Sequence, residues 1–291
     1  MPILSRRDAL KVGAAATVGA VSLPGLDLAA NSTEKIVKKG RIKQSACFWC
    51  YEKKVPLDDL CKNAAEIGMA AIDLLNAGQW ETARKHGLTC SVGYADAGNI
   101  ADGLNNKANH DKIIQGFEKN IPLAKKAGVP NVIVFFGNRR GMSDDEAIAN
   151  SVACLNRAKK IAEDNGVNIV IELLNSKVDH KDYIGDRTSY GVEVCKAVGS
   201  ERVKLLYDIY HMQIMEGDVI RTIKNNQQYI GHYHTGGNPG RNEIDQTQEL
   251  HYPAIVKAII DTGFSGFMAH EFIPKRDPLT SLREAVALCD V

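Results

Sequence analysis

The sequence predicts a single (β/α)8 TIM barrel, and three observations lead to this fold class. From Arg41 onward, short apolar runs alternate with amphipathic stretches, and about eight such alternations over about 250 residues are typical of this barrel. The apolar runs are nearly continuous in Val, Ile and Leu, as in parallel strands that are covered on both faces. No shift in composition marks a second domain, so residues 31–291 are assigned to one barrel domain.

Each strand is predicted from one short apolar run. The predicted strands lie at residues 42–50, 70–75, 88–95, 131–137, 168–175, 203–209, 230–235 and 266–272. An open, doubly wound sheet is the alternative arrangement of such strands. No Gly-x-Gly-x-x-Gly turn follows the first strand, so a dinucleotide site of the Rossmann type is not expected.

The helical segments alternate with these strands and have recognisable ends. Gly68, Gly87 and Gly128 each follow an amphipathic run, which is a common place for a glycine that closes a helix. Ser143 and Glu146 form a capping-box pattern at the start of a long helix. The predicted helices span residues 57–67, 80–86, 109–127, 146–164, 188–198, 218–226, 252–261 and 279–288.

The N-terminus differs from the rest of the chain. Arg6 and Arg7 precede a weakly apolar run at residues 12–23 and a stretch of small residues, a pattern that resembles a twin-arginine export signal. Residues 1–30 are therefore assigned to a signal peptide, and the protein is expected to be exported to the periplasm. A disordered basic tail is the alternative. No Cys follows the apolar run, so a lipid anchor is not expected.

Charge and cysteine content exclude several classes of function. The chain has 36 Lys and Arg against 35 Asp and Glu, so it has no general attraction to nucleic acid or to an acidic membrane. Its seven cysteines are scattered and do not form a disulfide framework. Cys47 and Cys50 have redox spacing but no thioredoxin-like helix start, so two residues that line a strand end are favoured, with a bridge between them left open.

Four of the predicted strands end on a side chain that can bind a metal. They are Glu172, Asp208, His234 and Glu271. Active-site groups of a (β/α)8 barrel lie at the carboxyl ends of its strands, so these four are expected to converge. Three carboxylates and one imidazole suit Mn2+, Mg2+ or Co2+, and they admit Zn2+. Any one of them alone is better explained as a helix cap or as the partner of an Arg.

Four further residues are predicted to contact a substrate. His211 lies three residues after Asp208, and Arg241 follows in a Gly-rich loop where it can anchor an anionic oxygen. Trp49 at the end of the first strand can form an apolar wall, and His180 lies in the loop after Glu172. In the predicted strand at residues 230–235, alternation places His232 on the same face as His234 but deeper in the barrel.

The strand-end motifs resemble those of the xylose-isomerase-like barrel superfamily of sugar isomerases and epimerases. The motif Asp-x-Tyr-His-x-Gln at residues 208–213, the Pro-Gly-Arg-x-Glu loop at 239–243 and Tyr252-Pro253 are most similar to the hydroxypyruvate isomerase branch. This resemblance implies that Glu172, Asp208, His234 and Glu271 bind a divalent metal ion. It also implies that Glu172 and Glu271 form the acid/base pair, and that hydroxypyruvate is converted to tartronate semialdehyde through an enediolate.

The same resemblance leaves the substrate open, since it covers a small sugar or a hydroxy-keto acid. Hydroxypyruvate isomerases tend to have Gln where this chain has His234, whereas ketose 3-epimerases of the superfamily have His there. A ketose 3-epimerase is therefore an alternative, as is a lyase or dehydratase that acts on a keto-sugar or inosose. A sugar-binding barrel without catalysis is the alternative outside enzymes. Assembly into a homo-oligomer is also left open.

Overall fold

The computed structural model describes residues 35–291, and it confirms the predicted barrel. All neighbouring strands are parallel, and helices lie between them on the outside. The predicted export signal at residues 1–30 lies outside the described residues. Within residues 35–291, no helix is both long and apolar enough to cross a membrane.

The sheet has the strand order β3-β2-β1-β9-β8-β7-β6-β5-β4. The strands are β1 Lys43–Cys47, β2 Ala71–Asp73, β3 Thr89–Cys90, β4 Gly93–Tyr94, β5 Asn131–Phe135, β6 Asn168–Glu172, β7 Val203–Asp208, β8 Ile230–Thr235 and β9 Phe267–His270. A parallel bridge joins Leu75, two residues after β2, to Gly93 of β4, and this contact closes the ring.

One predicted strand, residues 88–95, is divided into β3 and β4. β3 pairs with β2, and β4 pairs with β5. Leu74, at the end of β2, has a φ of 54°, which is the left-handed region that a branched side chain rarely adopts. The ladder from β2 to the next strand is interrupted there, and it resumes in the same register at the bridge between Leu75 and Gly93. The remaining predicted strands are observed at nearly the predicted positions.

The helices are also close to prediction, with one addition. They are α1 Leu57–Ile67, α2 Trp80–Lys85, α3 His110–Ala127, α4 Asp144–Asn165, α5 Thr188–Val198, α6 Ile209–Met215, α7 Val219–Asn226, α8 Tyr252–Asp261 and α9 Pro278–Cys289. The unpredicted α6 starts at once after β7, because the Asp208 carboxylate at its N-cap accepts a hydrogen bond of 3.2 Å from the backbone N–H of His211.

Alternation along the strands aims the polar groups into the barrel. On β6, Val170 faces the small apolar cluster inside the barrel, so Glu172 two residues later faces the same interior. Leu206 on β7 places Asp208 in the same way. The large core lies outside the sheet, between strands and helices. Glu172 and Asp208 therefore lie at one end of the barrel, next to the small apolar cluster that fills its interior.

Candidate active site

The four strand-end residues predicted as metal ligands converge in the structure. One ligand atom from each of Glu172, Asp208, His234 and Glu271 lies within 4.8 Å of the others. None of these side chains is more than 5% exposed. The strand register explains the convergence, since Glu172 is aligned with Leu206, and Asp208 with His234. A buried set of three carboxylates needs positive charge beside it to be tolerated.

His234 contacts two of the three carboxylates with one edge of its ring. Its Nδ1 lies 2.7 Å from Glu271 Oε2 and 3.5 Å from Glu172 Oε1. Burial opposes a charge on this ring, but Cys47, Glu271 and Asp73 around it hold the pKa of His234 well above its usual value. The neighbouring acids therefore favour the protonated ring, and a metal ion bound at Nδ1 would displace the proton there.

Arg241 supplies the second positive charge. Its Nη2 lies 3.0 Å from Asp208 Oδ2 and also donates to Glu271 Oε2. The guanidinium stacks against two aromatic rings, with 5.5 Å to the centre of Trp49 and 5.3 Å to that of Tyr210. The loop before Arg241 folds back tightly: a Cβ on Gly237 would lie 2.2 Å from the carbonyl oxygen of Glu243, so only glycine fits there.

The three carboxyl groups differ in acidity. Burial, together with the nearby carboxylates, raises the pKa of Asp208 to about 8, although Arg241 opposes the shift. Burial also raises the pKa of Glu172. For Glu271, burial acts in the same direction, but Arg241 and His234 hold its pKa well below the usual value. The environment therefore shifts the pKa values of the two facing glutamates in opposite directions, upward for Glu172 and downward for Glu271.

The residues present fit a divalent cation. Hard carboxylate oxygens and one imidazole nitrogen form the donor set that Mn2+, Mg2+ and Co2+ accept, and Zn2+ also tolerates it. Burial of three carboxylates beside the single guanidinium of Arg241 favours a further cation at this centre. Within the described residues, the Nε2 of His211 is buried and makes no hydrogen bond, and it lies 3.6 Å from Asp208 Oδ2 at this centre.

A chamber of about 280 Å³ lies over the acids. Its walls are largely apolar, and its floor is formed by Glu172 and Glu271. The lining residues are Trp49, Leu74, Tyr94, Ile100, Phe135, Glu172, Leu174, His180, Arg241 and Glu271. Such a chamber, apolar with a few convergent polar groups, is the usual form of a small-molecule site.

Residues 62–290 match the protein family described as xylose isomerase-like TIM barrel. The chain belongs to this family. The resemblance in the strand-end motifs is thereby confirmed at the level of the family.

Two curated relatives of this xylose isomerase-like barrel are isomerases by name. A 2-oxo-tetronate isomerase from Cupriavidus necator is 36% identical over 118 residues, which cover 40% of this chain and 45% of that protein. A hydroxypyruvate isomerase from Escherichia coli is 27% identical over 213 residues, which cover 72% of this chain and 74% of that protein. The chain thus spans about half the length of the first of these relatives.

Solved structures share the fold. AP endonuclease, family 2, from Brucella melitensis superposes with a TM-score of 0.76 at 20% identity, over 83% of this chain and 96% of that chain. D-psicose 3-epimerase from Clostridium cellulolyticum superposes with a TM-score of 0.68 at 19% identity, over 86% of this chain and 97% of that chain. At these identities the similarity establishes the barrel and no activity.

Three of the four predicted substrate contacts line the chamber of this xylose isomerase-like barrel, and His211 does not. Trp49 and His180 line the chamber, and Trp49 Nε1 donates to Glu271 Oε1 over 2.7 Å. His211 is fully buried behind His180, with 5.3 Å between the ring centres, and does not line the chamber. Lys177, from the same loop as His180, points away from the chamber and donates to backbone carbonyls at the end of α6.

Sequence reasoning missed Asp73 at the end of β2. Its Oδ2 lies 2.8 Å from His234 Nε2 and 3.3 Å from His232 Nε2. The hydroxyl of Ser91 donates to Asp73 Oδ1, and the thiol of Cys47 lies 3.5 Å from Oδ2. Asp73 ends an apolar run as Glu172 and its counterparts do, so the same strand-end rule would have found it. Cys47 and Cys50 are free thiols, so no bridge joins them.

Proposed function

We propose that this protein is a divalent-metal-dependent isomerase of a small α-hydroxycarbonyl compound. One observation carries the proposal: Glu172 and Glu271 face the same point from two strands, 3.5 Å and 2.7 Å from His234 Nδ1, and their pKa values are shifted in opposite directions. Two carboxyl groups with unequal acidity around one reacting carbon are an acid/base pair. The conversion of hydroxypyruvate to tartronate semialdehyde is one reaction of this type.

Each side chain has a role in the proton transfer. Glu271, kept ionised by Arg241, His234 and Trp49, removes the proton from the α-carbon of the substrate. Glu172, whose pKa is raised by burial, returns a proton at the neighbouring carbon. Arg241 holds the position of both Asp208 and Glu271. The apolar walls keep bulk water from the enediolate that forms between the two steps.

The metal ion is part of the proposal. Glu172, Asp208, His234 and Glu271 would hold it, and it would supply the positive charge that stabilises negative charge on the substrate oxygens. The identity of the ion among Mn2+, Mg2+, Co2+ and Zn2+ is to be determined by metal analysis of the purified protein.

Solvent-deuterium incorporation tests the function. Purified protein with Mn2+ in D2O is expected to introduce deuterium at the α-carbon of an accepted substrate. The Glu172→Gln variant should lose this exchange, because the amide cannot carry the proton. Wild-type protein without exchange on any hydroxy-keto acid or ketose, with Mn2+ bound, would exclude the proposed reaction.

A ketose 3-epimerase is the second candidate. The candidate ligand set contains His234, and the resemblance implies a histidine at this position in ketose 3-epimerases. If the proton returns to the opposite face of the same carbon, the product is an epimer. Product analysis by NMR separates this outcome from a shift of the carbonyl group and from elimination.

We also propose that the protein acts after export to the periplasm, on the basis of the twin-arginine pattern at residues 6–7. Cell fractionation of wild-type protein and an Arg6→Lys/Arg7→Lys variant tests the location. Retention of the variant in the cytoplasm is the expected result, and equal distribution of both proteins would contradict it.

A further inference from the structure

The chamber over the acids continues into a larger groove. The groove has a volume of about 610 Å³, against about 280 Å³ for the chamber. Both are lined by Tyr94, Ile100, Phe135 and His180, so these side chains form the passage between them. A molecule that reacts at Glu172 can therefore extend past Tyr94 without leaving the protein.

The groove has the chemistry of a carbohydrate site. Tyr94 and Phe135 present half-buried aromatic surface, on which the apolar face of a sugar ring can pack. Polar groups stand beside them: the Asn138 amide makes no side-chain hydrogen bond within the described residues, and Asp179 accepts from Tyr210 over 2.8 Å with one oxygen. Amide, carboxylate, imidazole and phenol groups together offer donors and acceptors to ring hydroxyls.

The charges in the chamber disfavour an anionic substrate. Arg241 is the permanent cation among the residues that line it, and its Nη2 is already engaged by Asp208 and Glu271. A carboxylate on the substrate would lie beside Glu172 and Glu271, where Arg241 and a bound metal ion would have to offset the repulsion. Lys181 lies in the groove, where it is exposed to solvent. A neutral polyol avoids the repulsion that like charges produce at close range.

We propose that the substrate is a neutral ketose that carries a second sugar ring. The α-hydroxycarbonyl end enters the chamber, and the second ring binds in the groove between Tyr94, Phe135 and Asn138. This inference rests on the proposed function, since it names the substrate class for the same two glutamates. The volume of the groove falls within the ~300–1,000 Å³ of typical ligand pockets, so the groove has room for a sugar ring beyond the chamber.

One deuterium-exchange assay with three candidate substrates tests this inference. Full-length protein with Mn2+ in D2O is offered hydroxypyruvate, D-fructose and isomaltulose, which is fructose with a glucosyl group on its sixth carbon. We expect kcat/KM for exchange to be at least about tenfold higher for isomaltulose than for hydroxypyruvate, a difference within the reach of a few binding contacts. Exchange that is fastest with hydroxypyruvate overturns the inference and supports the proposed function. No exchange with any probe rejects both.

Groove variants provide the second test. Ala101→Phe places a phenyl group in the groove, and Asn138→Ala removes the amide; both positions line the groove and not the chamber. Each variant should lower kcat/KM for isomaltulose by about tenfold and leave that for fructose within about twofold. Ala108→Phe, on an exposed position of the same loop, is the matched control and should change neither. Equal losses on both sugars, or no loss in Asn138→Ala, would overturn the inference.

Discussion

Asp73 Oδ2 accepts a hydrogen bond from His234 Nε2 over 2.8 Å, on the ring edge opposite Glu271. Because the Nε2 proton is fixed by this contact, Nδ1 is the nitrogen whose lone pair can bind a metal ion. A carboxylate behind a metal-binding histidine fixes the tautomer and orients the ring. Asp73 is in turn held by Ser91 and Cys47, so the ring is supported from below by β1, β2 and the residues after β3.

The Asp73→Asn variant is predicted to bind Mn2+ about 10–100-fold more weakly, the usual effect of losing a carboxylate that orients a ligand histidine. Isothermal titration calorimetry on the metal-free protein measures the affinity. Ser91→Ala is the control, since it removes a hydrogen bond to Asp73 but keeps the contact between Asp73 and His234. Wild-type affinity in Asp73→Asn would contradict the positioning role.

The Glu172→Gln and Glu271→Gln variants are predicted to reduce deuterium exchange by about 10²–10⁴-fold, the range for loss of a general acid or base. Both residues are also candidate ligands, so the assay is run at Mn2+ concentrations that saturate each variant. Glu201→Gln, whose side chain is 97% exposed, is the control. If either glutamine variant keeps full exchange with metal bound, that glutamate does not carry the proton.

Mn2+ is predicted to raise the thermal unfolding midpoint of the wild-type protein, because the ion offsets the repulsion among three buried carboxylates. A ligand at a hundred times its dissociation constant adds about 2.7 kcal/mol of stability. Asp208→Asn should shrink this shift, since it removes one charged donor while the amide oxygen can still cap α6. Differential scanning calorimetry with EDTA or MnCl2 measures the shift, and an identical shift in the variant would remove Asp208 from the ligand set.

Asp290 provides a pH-dependent prediction away from the site. Its carboxylate accepts three backbone hydrogen bonds of 2.6–2.8 Å, from Lys38, Lys39 and Gly40. Burial opposes ionisation, but these donors lower the pKa of Asp290. A lowered pKa in the folded state contributes stability above the pKa of the unfolded state, and this contribution disappears as the pH falls through the folded value.

The Asp290→Asn variant should therefore lose about 1–2 kcal/mol of unfolding free energy at pH 7, as expected for hydrogen bonds to a charged group. The difference from the wild type should shrink below about pH 4, where the unfolded carboxyl group is protonated. Urea unfolding at pH 7 and below about pH 4 measures the difference in unfolding free energy. Asp164→Asn, an exposed partner of Lys160, is the control and should show a small effect at either pH. A loss that does not depend on pH would refute the charge-based explanation.

The sequence predicted the half of the site that lies on regular strands. Glu172, Asp208 and His234 were found because a strand of period two fixes which side chains face inward and where they end. Asp73 could have been found by the same rule, because Ile72-Asp73-Leu74-Leu75-Asn76 repeats the pattern of Ile171-Glu172-Leu173-Leu174-Asn175. The short α6 was missed because its first turn depends on the Asp208 cap, a contact that only the folded strand supplies.

The two halves of the barrel contribute different parts of the candidate site. Each of the four proposed metal ligands comes from β6, β7, β8 or the residue after β9, whereas much of the apolar wall comes from earlier segments, at Trp49, Leu74, Tyr94 and Phe135. In the proposed isomerase, the first half of the chain would therefore largely determine which substrate is accepted, and the second half would carry the proton transfer. Exchange of the early loops would then change the substrate while Glu172 and Glu271 stay in place.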